Sequence, residues 1–201
     1  MTHAVTITVA ELATKISKGE EEFVLPNGQV RKGLSWKGED LASIARVLHN
    51  AGHSGEIRID GGAPAWLHAA VAHEIHPGVP VLNTPEGFIL ASCKAPSPTP
   101  EGDNLHWEVN TRPDGWTMVE VSQVDPSQPL DLHKVGEVAP PELPFGSKVI
   151  VSGRLPNLFV VAITMAYHGK TKAVACLQKG IGATVCQSHT PSVKLGALIP
   201  E

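Results

Sequence analysis

The sequence predicts an α/β protein made of two related half-domains, each a small mixed sheet with one or two helices, arranged as a pseudo-dimer. Three observations predict it. Runs of β-branched apolar residues alternate with helical patterns and Gly/Pro turns. A proline-rich stretch almost free of apolar residues, "KAPSPTPEGDN" (94–104), divides the chain nearly in half. Finally, "EIRIDGGAPAWLHAAVAHEIHPG" (56–78) aligns without a gap on "KVIVSGRLPNLFVVAITMAYHGK" (148–170), at a constant offset of 92. That alignment places Gly61 on Gly153, Pro64 on Pro156 and His76 on His168. The apolar positions agree as well: Ile57 with Val149, Ile59 with Val151, Val71 with Ile163, Ile75 with Tyr167. The expected organisation is a duplication, with a first repeat at 1–93, a linker at 94–104 and a second repeat at 105–201.

Taken in order, "FVLPNGQVRKGLSW" predicts a hairpin turning at Pro26, Asn27 and Gly28. "GEDLASIARVLHNAG" (38–52) predicts a helix with Leu41, Ile44, Val47 and Leu48 on one face. "EIRID" reads as a strand, and a Gly turn follows. Pro64 then sits at an expected first helical position, where its missing N–H costs nothing. The helix should run from Pro64 to about Ile75 and stop at Pro77. Two short strands with a turn at Gly87 complete the copy. The second copy has a hairpin around Pro113, Asp114 and Gly115, then "PLDLHKVGEVAPPELP", too rich in proline for a full helix. "KVIVS" is its strand, Pro156 to about His168 its helix, and a turn with Gly180 and Gly182 joins its last two strands.

The composition narrows the function classes. With 201 residues, 42% hydrophobic and 18% charged, the chain can build one large core or two small ones. Sixteen basic against 20 acidic residues give a formal charge of −4, which argues against duplex nucleic acid as a partner but leaves room for a local anion pocket. The apolar runs are too short for a membrane span and no signal peptide is evident, so neither a membrane partner nor export is expected. Cys93, Cys176 and Cys186 lack CxxC spacing and read as free thiols of a cytoplasmic protein.

"GGAPAWLHAAVAHEIHP" (61–77) carries His68, His73 and His76. At about 100° per residue the three fit within an arc of roughly 140° on one helix face. His73 and His76 have an i,i+3 spacing, but Glu74 points elsewhere, so the pattern falls short of a helix-borne metal pair. His68 reads as a packed histidine. So does His73, because Met165 takes its place in the second copy. His76 and His168 recur at both helix ends, as dipole partners or as general acid/base and phosphate ligands. "SGRLPN" (152–157) offers Ser152, Gly153, Arg154 and Asn157 at a helix N-terminus, a phosphate-binding pattern. "DGGAPA" keeps Gly61 and Gly62 without an arginine, and Asp60 there would repel phosphate. A tight strand-to-helix turn is the other reading of both loops. His189, closing "CQSH", is a further exposed imidazole candidate.

With these residues in place, the chain resembles the small CRISPR-associated ring nucleases of type III systems. That family runs Ser-Gly-Arg-Gly-Pro, Trp-Leu-His, Ala-His, Tyr-His, Asp-Pro-Arg and Gln-Ser-His. Here "SGRLP" (152–156), "YH" (167–168) and "QSH" (187–189) stand in the second copy, and "GGAP" (61–64), "WLH" (66–68) and "AHEIH" (72–76) in the first. The chain looks like two family protomers fused. The resemblance implies binding of a cyclic oligoadenylate, cyclic tetra-adenylate, and its cleavage to switch off type III signalling. It also implies manganese as cofactor and an oligomer that sandwiches the ring. Ser152, Gly153 and Arg154 match the messenger-binding turn, His76 and His168 the catalytic histidine, and His189 the histidine that closes the next strand. Asp-Pro-Arg is absent: the copies read "NTPEG" and "CLQKG", where Lys179 supplies a positive charge and Glu86 is the one carboxylate. The sequence thus leaves a messenger-cleaving protein beside a non-catalytic cyclic-oligonucleotide binder, or a duplicated scaffold with no nucleotide ligand.

Overall fold

A computed structural model describes residues 5–24 and 28–201. Its first half contains β1 (Val5–Thr8), α1 (Val9–Lys15), β2 (Glu21–Val24), β3 (Val30–Gly33), α2 (Leu41–His49), β4 (Glu56–Asp60), α3 (Ala65–Glu74), β5 (Val79–Thr84) and β6 (Gly87–Leu90). Its second half contains β7 (Leu105–Thr111), β8 (Trp116–Gln123), β9 (Lys148–Gly153), α4 (Asn157–Ala166), β10 (Ala173–Gln178), β11 (Gly182–Ser188) and β12 (Leu198–Ile199). A mixed α/β fold is what the sequence led us to expect. The expected turn at Pro26 and Asn27 lies outside the described residues.

The sheets run β1-β4-β5-β6 and β12-β11-β10-β9-β8-β7, and β2-β3 form a separate hairpin. The four central strands share one topology. β1, β4 and β5 are parallel, with β6 antiparallel at the edge. β8, β9 and β10 are likewise parallel, with β11 antiparallel. Ile57 faces Pro80 across β4 and β5 as Val149 faces Val174 across β9 and β10. The next strands therefore set Pro80 against Val174, an offset of 94, so the constant offset of 92 read in the sequence stops at the helices.

α3 lies at the centre and is covered on both of its sides, so its apolar residues are spread around the helix. Every residue from Trp66 to Ala72 is buried. α3 packs on α4, α2 and β11. One apolar cluster runs from Ile57 and Ile59 through Leu67 and Val71 to Val149, Val151, Val161 and Ile163, so the halves share a core. A smaller cluster of Trp116, Ile150, Ala175 and Val185 fills the opposite face of the second sheet, closed by Val193 and Ala197.

One local expectation is corrected. Pro64 and Pro156 stand at the N-cap positions, with ψ of 147° and 143°, one residue before the first helical turn. The linker segment 94–104 is itself strapped to the chain around 138–142. Lys94, Ser97 and Glu101 donate backbone N–H bonds to the carbonyls of Val138, Pro140 and Ala139, at 2.8 Å each. Two proline-rich stretches, neither able to form a helix, satisfy each other's backbone.

The opening β1-α1 unit went unread in the sequence. Its signal is the capping box T-x-x-E: Glu11 N–H donates to the Thr8 hydroxyl, and Thr8 N–H donates to the Glu11 carboxylate, both at 3.1 Å. The proline-rich 129–144 stretch carries only a short 3₁₀ turn, Leu132–Glu137, as its composition required.

Candidate functional site

The parallel packing of α3 and α4 creates two distinct ends. At the first, the strand-to-helix turns of both halves meet. The Asn157 amide donates to the Ala63 carbonyl at 2.9 Å and to His68 Nδ1 at 3.0 Å. The other His68 nitrogen donates to the Gly61 carbonyl at 3.0 Å. Trp66 Nε1 donates to Gln178 across the halves at 3.2 Å. Both His68 nitrogens are spent inside the protein, so this histidine is a packed residue tying the halves together. Both Asn157 amide hydrogens are spent too, which leaves this residue only its carbonyl oxygen and backbone for a ligand. Gly61 and Gly62 line a groove of about 360 Å³ with Asp60, Asn83, Pro156 and Leu158. Gly153 lines the equivalent groove of about 270 Å³ with Pro64, Trp66 and Gln178.

Gly153 is required by backbone packing. A Cβ there would run into the Val121 carbonyl oxygen. Its turn releases Arg154 into solvent, exposed and without an ion pair among the described residues, while Ser152 is buried. Asp60 accepts from the Asn83 amide at 2.8 Å. Glu86 pairs with His133 at 3.3 Å.

Burial holds the His68 imidazole below its ordinary value, outweighing the opposing bond to Gly61. An unfolded chain takes up this proton near pH 6.5, and the folded chain only at lower pH. The stability this group contributes is therefore complete above about pH 6.5 and drains away as pH falls through the folded value. His68→Gln should flatten that part of the acid slope of the melting temperature. An unchanged slope would show that another group carries it.

The second end gathers imidazoles. His76 and His168 follow the C-caps Ile75 and Tyr167 directly. His189 leaves β11, and its N–H donates to the Lys172 carbonyl at 2.8 Å. His168 stands with ring centroids 5.1 Å from His73, 5.0 Å from His76 and 5.0 Å from His189. His73 and His189 are 5.1 Å apart. His73 is therefore part of this group and not mere packing, contrary to the expectation drawn from Met165. The Met165 comparison misled because the two halves contribute unequally here.

Burial, then the neighbouring His73, His189 and His76, push His168 down to about 4, so it is neutral at pH 7. Burial and His73 also lower His189, partly opposed by Glu74.

Lys179 does not join these histidines. It follows Gln178 at the far end of β10, whereas Ser188, just before His189, pairs with Ala173 at the near end. Six residues of strand at about 3.3 Å each separate them by roughly 20 Å. Lys179 belongs with Arg154, at the end of the molecule where the glycine turns lie. Arg154 and His168 are themselves divided by the ten residues of α4, about 15 Å of helix. Arg154 and Lys179 therefore do not share one pocket with His168 within a chain.

Manganese fits the imidazole end poorly. Among the described residues, the donor set that could hold an ion is His73, His168 and His189, all nitrogen. Manganese favours carboxylate, carbonyl and water oxygens. Glu74, expected from the helix spacing to point elsewhere, is instead held on His73 Nδ1 at 3.0 Å.

Residues 122–200 match the family described as CRISPR-associated protein (Cas_csx3). The match includes Arg154, His168 and His189 and leaves out His73 and His76. It supports a CRISPR-associated role for the chain. No curated protein matches it. Among the described residues, no helix is long and apolar enough to cross a membrane.

Proposed function

We propose that this protein binds a cyclic oligoadenylate, cyclic tetra-adenylate in the first instance, and cleaves it to silence type III CRISPR signalling. The observation that carries this reading is the four-imidazole end, built from both halves, with its central member held neutral. The substrate class rests on the resemblance to ring nucleases, and the match of residues 122–200 to a CRISPR-associated family supports the setting.

The chemistry needs one proton acceptor and one donor beside an aligned phosphate. His168 takes the proton from a ribose 2′-OH. The freed oxygen attacks the adjacent phosphorus and the bond to the 5′ oxygen breaks. A second imidazole, His76, returns a proton to that leaving oxygen. The products are a 2′,3′-cyclic phosphate and a 5′-hydroxyl. His189 packs against His168 and orients it.

Phosphates are held at the opposite end, by Arg154, Lys179 and the backbone at 152–157, with Gly61 and Gly62 shaping the companion turn. Because the two ends are separated by the length of α4, a ring gripped by one chain meets the imidazoles of another. Stacking chains head to tail puts the ring between them, an oligomeric sandwich of the kind the resemblance implies.

The same separation favours a second reading. An isolated chain grips the ring and releases it intact, acting as a sponge.

Labelled cyclic tetra-adenylate decides between them: linear product with a cyclic phosphate terminus supports cleavage, and retention of intact ring at every protein concentration supports the sponge. Arg154→Ala should weaken ring binding by about 1–3 kcal/mol, the worth of a charge-assisted contact. Calorimetry showing unchanged affinity would remove Arg154 from the binding surface.

A further inference from the structure

We infer that His73, His168 and His189 form a binding site for a zinc-class divalent cation, one per chain, with Glu74 as the carboxylate that orients His73. The donor atoms of the three imidazoles already lie within 4.8 Å of one another. Three nitrogens on a tetrahedral zinc stand about 3.3 Å apart, given a Zn–N distance of about 2.0–2.1 Å. Small side-chain rotations close that difference. Two ligands are half-buried and one is exposed, so the fourth position faces solvent.

Glu74 accepts from His73 Nδ1 at 3.0 Å, which fixes the tautomer and leaves Nε2 as the lone-pair donor. This carboxylate–histidine arrangement is the usual support of a metal-bound imidazole. Imidazole ligands suit zinc, copper, nickel and iron better than manganese.

The site occurs once because the halves differ. The positions equivalent to His73, His168 and His189 are Met165, His76 and Cys93. Cys93 follows Ala91, which lies opposite Pro80, as His189 follows Gln187, which lies opposite Val174. Cys93 is turned inward, with its thiol on the Ala162 carbonyl at 3.4 Å, and burial pushes it up to about 12. The second triad therefore cannot ligate. The ligands of the first come from α3, α4 and the end of β11, so the ion would clamp the two halves together.

An ion on His168 occupies the lone pair that the proposed cleavage uses to accept a proton. The binding claim stands without the cleavage reading. The consequence for activity rests on it: zinc should inhibit, and a chelator should relieve the inhibition.

The test uses untagged full-length protein, Zn2+, Mn2+ and, as spectroscopic probe, Co2+. Expected are a rise in melting temperature with one equivalent of Zn2+, little change with Mn2+, and intense visible d–d bands of four-coordinate Co2+. His73→Met places in α3 the residue α4 carries at Met165, so the fold should survive, as far-UV circular dichroism will show. It should lose the Co2+ bands, while Glu74→Gln weakens Zn2+ by about 10–100-fold. His106→Ala, an exposed control, should change nothing. Pale octahedral Co2+ spectra, or Zn2+ stabilisation that persists in His73→Met, would overturn the site. Zinc that binds and accelerates ring cleavage would keep the site and overturn the free-imidazole role of His168. Zinc binding with no cleavage under any condition would keep the site and overturn the cleavage reading.

Discussion

His168→Ala should abolish most ring cleavage while leaving ring binding nearly intact. General acid–base catalysis by one positioned side chain contributes about 10²–10⁴-fold, and the loss should fall in that range. The reasoning is positional. His168 is the hub of the imidazole group, within about 5 Å of His73, His76 and His189 by ring centroid. It is also the member whose neutral form burial favours most clearly. A base must be unprotonated at working pH, and burial with the neighbouring imidazoles keeps this one so, at some loss of basicity. Binding should survive because Arg154 and the glycine turns lie about 15 Å away along α4. His168→Gln preserves size and hydrogen bonding and should be as inactive as the alanine variant. A glutamine variant that cleaves at the parent rate would sink the assignment. So would a loss of binding equal to the loss of rate, which would mark His168 as a contact and not a proton carrier.

Much of this arrangement was legible in the sequence because it follows from local rules. The offset alignment paired Gly61 with Gly153 and His76 with His168, and the structure places each pair at equivalent turns of equivalent strand-helix-strand units. The glycine turns before α3 and α4, the existence of both helices and the lack of a full helix in the proline-rich 129–144 stretch all came from residue chemistry. What did not come through depends on how helices pack. Helical geometry allowed His68, His73 and His76 one shared face, but it could not say that His68 would be consumed by Asn157 and Gly61. Nor could it say that His73 would meet His168 and His189 from the other half, since no spacing along the chain encodes contact between α3 and β11. Lys179 misled for the related reason that residues near in sequence to a site can lie at the far end of a strand. A position occupied by His73 in one half and Met165 in the other looked like packing. In an asymmetric assembly it is a place where one side carries the chemistry alone.

Mixing two inactive variants should restore cleavage. If the ring sits between the turn end of one chain and the imidazole end of the next, Arg154→Ala and His168→Ala damage opposite faces of a heterologous interface. In an equimolar mixture, random head-to-tail pairing gives roughly a quarter of interfaces an intact arginine face from one variant and an intact histidine face from the other. Activity at saturating ring should then recover to about that fraction, against almost none for either variant alone. The specific activity of the parent protein should also rise with its own concentration, because a site completed by a second chain is filled by mass action. A single-chain site predicts the reverse on both counts. No chain in the mixture holds both groups, so the mixture stays inactive, and the parent's rate per chain is flat on dilution. Analytical ultracentrifugation with and without the ring completes the comparison: the head-to-tail arrangement requires ring-dependent growth beyond the free species. Cleavage by a population that remains monomeric with ring bound would end the composite-site argument, whatever the individual variants do.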